Sequence, residues 1–254
     1  METAPLCVLL GFRPGLSRDL GNPATRLTRG AQARLEQEKR YCAILPFFQL
    51  VISMNRDSTD VGRVPSLTYS LWFGALGFCL AALLVFATVA FAEHWMFRHL
   101  GFYGAYATWT VLFILVGGLV LSPLVTGRRR SGWFQLVFGT AFLAYAVAWM
   151  AAYFTLRGST GEWIGSLAGS VLMGLVLAVA FDARQTTLKL IVLLCITNCA
   201  GYFLGAALFY SIRGSIGMLL YGLVYGLFMG AGLGMALYLC QVQRGQAAGA
   251  LGNR

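Results

Sequence analysis

Long runs of apolar residues alternate with short polar breaks from Tyr69 to Cys240. The runs are continuous: apolar side chains follow one another without the two-residue alternation of a half-buried strand. A spanning helix needs about 20 apolar residues, because hydrocarbon is roughly 30 Å thick and each residue rises about 1.5 Å. The pattern therefore predicts six membrane-crossing helices near 69–92, 103–125, 133–155, 163–181, 188–211 and 216–239. A transmembrane β-barrel would instead show strands of about ten alternating residues. Backbone groups in lipid must be satisfied within each segment, which favours helices. The expected fold is all-α: a polytopic six-helix transmembrane bundle.

Composition agrees. The 254 residues are 58% hydrophobic and 11% charged, against about 25% charged in ordinary soluble domains. Net charge is +10. That charge lies in tails and loops, so a membrane accounts for it and nucleic acid is not an expected partner. Basic residues also orient the chain. Arg98, Arg157 and Arg213 stand singly in the 1–2, 3–4 and 5–6 connections. The segment before the first run, the 2–3 loop (Arg128, Arg129, Arg130), the 4–5 link (Arg184, Lys189) and the tail (Arg244, Arg254) hold the rest. The positive-inside rule then puts both termini in the cytoplasm. Short loops, a small chain and this asymmetry point to a bacterial cytoplasmic membrane. Tyr69, Trp72 and Trp133 fall near expected inner ends, and Trp95, Tyr103, Tyr153 and Trp163 near outer ends, as interfacial rings do.

Residues 1–66 read as a cytoplasmic N-terminal segment. The apolar stretch Cys42–Ser53 is too short to span and holds Pro46, so an interfacial placement suits it. Translation starting at Met54 would leave an ordinary short tail, with the topology unchanged. Residues 69–240 form the transmembrane domain and 241–254 a cytoplasmic tail.

The last run carries Gly222, Gly226, Gly230 and Gly234, which fall on one helix stripe. Shorter versions are Gly165 with Gly169, and Gly201 with Gly205. Small residues four apart let helix backbones approach closely in membranes. The expectation is a glycine-zipper packing face, within spans 4 to 6 or between copies of the chain. Three spans per half would also permit inverted repeats, but the halves show no residue-level similarity.

Among polar intramembrane residues, Asn198 shares a face with Gly201 and Gly205 and should point at protein. Thr197, Ser166 and Ser170 are its companions in a candidate solute path. No ionisable residue sits mid-span, which argues against a strongly ion-coupled pump. Ser166 and Ser170 lack any intramembrane histidine or lysine that would activate a nucleophile. Glu93, His94 and His99 cluster in sequence near the 1–2 connection, but their spacing does not share a helix face, so no metal or catalytic site is assigned. The six cysteines form no CxxC pair and read as apolar fillers. No cofactor motif is present. Arg128, Arg129 and Arg130 could contact anionic head groups, although a topology determinant explains them as well. The leading expectation is a non-enzymatic scaffold or subunit of a membrane complex, with lipids and either a second copy or another membrane protein as partners. The alternatives are a facilitator for small or lipid-like solutes and a membrane enzyme with an outer-loop site.

Overall fold

The computed structural model describes residues 64–126 and 130–252. Among them there are helices and no strands. Helix α1 (Leu67–Leu112) runs on through a π-helical turn (Phe113–Gly117), the short α2 (Gly118–Leu121) and a 3-10 turn (Ser122–Leu124). Then come α3 (Arg130–Leu156), α4 (Gly158–Ala180), α5 (Thr187–Ile212) and α6 (Gly214–Gly252). Five helical stretches are long and apolar enough to cross a membrane, the first covering 58 residues from Leu67 to Leu124.

That first stretch is not straight. Gly101 adopts φ 67°, ψ 179°, a non-helical conformation that residues bearing a Cβ resist. The chain folds back there: the Phe97 ring stacks on Phe102, and Phe78 on Phe113. Sharp reversals also occur at Arg157 (φ 55°, ψ 162°) and Arg213 (φ 55°, ψ 175°), where, unlike at Gly101, the next residue, Gly158 or Gly214, is also at positive φ. The link from α4 to α5 is different. Ala183 N donates to Ala178 O and Asp182 N to Val179 O, with Asp182 left-handed at φ 53°. That pair of bonds is a Schellman cap, which satisfies the last carbonyls of α4.

The arms form a closed ring in which each runs antiparallel to its neighbours. The second arm of α1 meets α3 where Gln135 Nε2 donates to Ile114 O, inside the π turn, at 2.7 Å. Gly118 makes room for that amide, since a Cβ there would strike it. Helix α4 meets α5 at Gly174 and Ile191. Helix α6 returns to the first arm of α1, and Gln241 ties α6 to the end of the second arm. Its Oε1 accepts from Thr126 N and Oγ1, both at 2.9 Å, while its Nε2 donates to Leu124 O and Leu237 O.

Aromatic rings fill the ring's axis. Phe113 contacts Phe142 across 5.1 Å and Tyr225 across 6.3 Å, centroid to centroid. Phe78 lies 6.4 Å from Phe142. The polarity is inverted relative to a water-soluble bundle. Leu80, Phe91, Leu119 and Ile196 are more than 60% exposed, whereas Ser166, Ser170 and Asn198 are fully buried. Such a surface suits hydrocarbon. Two of the rings expected near the interfaces lie close to the ends of α3 and are buried against neighbouring side chains. Trp133 packs edge-on against Phe181, and Tyr153 stacks on Trp149.

Candidate functional site

The polar centre of the bundle gathers around Asn198, fully buried near the middle of α5. Tyr145 of α3 donates its hydroxyl to Asn198 Oδ1 at 3.0 Å. Asn198 Nδ2 donates to Ser166 O of α4 at 3.2 Å. Tyr225 of α6 lies beside the Tyr145 hydroxyl. Three helices thus join in one chain of neutral groups that ends on a backbone carbonyl. Nearer the Arg157 and Arg213 turns, the Tyr202 and Tyr221 rings meet edge-on with centroids 5.8 Å apart, flanked by Trp149 and Phe86.

The other polar candidates divide. Ser166 belongs to the cluster through its carbonyl, but its buried Oγ has no hydrogen-bond partner. Ser170 Oγ bonds the same carbonyl at 2.8 Å. Thr197 stands apart: its Oγ1 donates to Leu193 O, and it faces Gly232 of α6. The tyrosines are the part that spacing rules miss. Their signal in the sequence is a hydroxyl-bearing ring in mid-span, where a buried O–H needs an acceptor.

The glycines occupy three interfaces. Gly165 and Gly169 face Trp149 and Tyr145 of α3, and Gly201 and Gly205 face Tyr225 and Tyr221 of α6. The stripe on α6 turns to α1, outside the expected group of spans 4 to 6. Gly222 meets Phe86, Gly226 meets Cys79 and Ala82, Gly230 meets Gly74 and Ala75, and Gly234 meets Ser70 and Gly74. Several of these are backbone contacts, closer than a side chain would allow.

At the far end of α1's first arm, Arg98 Nη2 donates to His94 Nε2 at 3.0 Å and His99 Nδ1 to Trp95 O at 2.9 Å. Both histidines are exposed, and Glu93 is half-buried. Among the described residues no group of three or more His, Cys, Asp or Glu gathers as metal ligands would. Arg128, Arg129, residues 1–63 and the Met54 start lie outside the described residues, and Arg130 begins α3. No family model, curated protein or solved structure matches the chain.

The chemistry open to the cluster is limited. Its bonded groups are a phenol hydroxyl, an amide and a backbone carbonyl. What it does is fix α3, α4 and α5 against one another. Inter-helix hydrogen bonds of this kind contribute about 0.6–2 kcal/mol each in membranes.

Proposed function

We propose that the chain crosses a cytoplasmic membrane six times, with both ends on the basic side, and serves as a scaffold or fixed subunit of a membrane complex. The count of six comes from the first stretch. Its 58 residues would extend about 87 Å as one straight helix, nearly three bilayer cores, and the reversal at Gly101 divides it into two crossings. The three turns carry single arginines close by, at Arg98, Arg157 and Arg213, while the opposite end carries Arg130, Arg184, Lys189 and Arg244. The bias favours cytoplasmic ends.

One observation carries the structural role: the axis is filled by aromatic rings, and Asn198 spends its amide on Tyr145 and Ser166. A solute path through this bundle would have to displace those groups. The test is reconstitution beside native extraction. Vesicles holding the protein should pass small neutral solutes no faster than empty vesicles. Extraction into lipid nanodiscs should yield the chain with a second copy or another polypeptide. Flux above the empty-vesicle rate that Asn198→Leu abolishes, or a chain always recovered alone, would overturn the proposal.

A further inference from the structure

Gly101, Arg157 and Arg213, the three residues on which the chain reverses, stand at a constant interval of fifty-six residues. The interval recurs elsewhere. Gly118, Gly174 and Gly230 are all glycine, all buried, and all face the first arm of the next hairpin around the ring. Around the second and third turns the bonds also match: Arg157 N donates to Tyr153 O and Arg213 N to Phe209 O, while Gly161 N donates to Arg157 O and Gly217 N to Arg213 O. The sequence there reads YFTLRGSTG and then FYSIRGSIG.

We infer that the chain is three tandem copies of one helix-hairpin module, set cyclically around the axis, with the third closing onto the first. The strongest support is a reversal of size at matched positions. In the second hairpin Trp149 packs on Gly165 and Tyr145 on Gly169. At the equivalent places in the third, Gly205 packs on Tyr221 and Gly201 on Tyr225. Ring and glycine have changed sides of the same contact, twice, with each contact kept. Apolar helices without a common module have no reason to place complementary pairs at one shared interval. The module also shows where one copy departs. Asn198 occupies the place held by Phe86 in the first copy and Phe142 in the second, both in the aromatic axis.

Exchange within one contact tests this in the full chain. Gly165→Tyr alone should lose the monodisperse peak in gel filtration, because a Cβ there would lie 3.0 Å from Trp149 O. Adding Trp149→Gly should restore that peak by copying the third hairpin's pair. The reciprocal exchange, Gly205→Trp with Tyr221→Gly, should likewise outperform Gly205→Trp alone. Spin labels on the exposed turn residues Tyr103, Ser159 and Ser215, in pairs on a cysteine-free background, should give three coincident distance distributions. The inference is overturned if neither double variant improves on its single one, if Gly165→Tyr alone is tolerated, or if the 103–215 distance is far longer than the other two.

Discussion

At the scale of single residues, the contacts made by each glycine decide what it can become. A Cβ on Gly234 would run into Ser70 O and the backbone of Gly74, neither of which can rotate away. Gly234→Ala should therefore cost about 1–3 kcal/mol, the usual range for forced overpacking. A Cβ on Gly132 meets nothing within 4 Å. Gly132→Ala should be neutral or gain up to about 1 kcal/mol from helix propensity. Thermal unfolding of the two variants side by side checks the contrast, and equal losses would refute the packing argument. Asn198 allows a second test. Asn198→Leu leaves Tyr145 without its acceptor and Ser166 O with one donor fewer. In a cycle with Tyr145→Phe the two changes should couple by about 1 kcal/mol. Additive losses would mean that the 3.0 Å bond contributes nothing.

The helices themselves were legible because continuous apolar runs of spanning length permit little else. The run expected at 188–211 is α5 (Thr187–Ile212), whereas α6 (Gly214–Gly252) runs well past the expected end at 239, through most of the segment expected to be a tail. Less legible was what joins them. Arg157 and Arg213 hold a left-handed conformation that no rule would assign to arginine. The repeat stayed hidden for a physical reason. Packing conserves the sum of two side chains across a contact, so Trp149 with Gly165 and Gly205 with Tyr221 look unrelated in a linear comparison. Dividing a threefold chain into halves also sets unlike modules opposite each other. In the candidate site the shared face expected for Asn198, Gly201 and Gly205 divides: the amide bonds α3 and α4, whereas the two glycines face α6. Tyr145 could not be joined to Asn198, because that pairing depends on how α3 and α5 converge across the ring. The turns supply the prediction at this scale. A non-glycine residue in this backbone region carries about 1–3 kcal/mol of strain. Arg157→Gly and Arg213→Gly should each raise the melting temperature, after an offset of roughly 0.5–1 kcal/mol for glycine's extra chain entropy. A fall in melting temperature for both would show that the arginine side chains stabilise the turns by more than the strain costs.

For the whole molecule, lipid solvation, ring closure and the direction of each hairpin are one claim. The exposed belt of Leu80, Phe91, Leu119 and Ile196 would drive association in water. Around it, charge collects at the two ends, sparsely where the three turns lie. If the ring crosses the bilayer as proposed, Tyr103, Ser159 and Ser215 all meet the outside, while Gln185, in the link between α4 and α5, meets the cytoplasm. Single cysteines at these four exposed positions, on a cysteine-free chain in intact cells, can be probed with a membrane-impermeant maleimide. The account expects labelling at 103, 159 and 215 and none at 185 until the membrane is broken. Labelling at 185 in sealed cells, or protection at any one of the three turns, would contradict it.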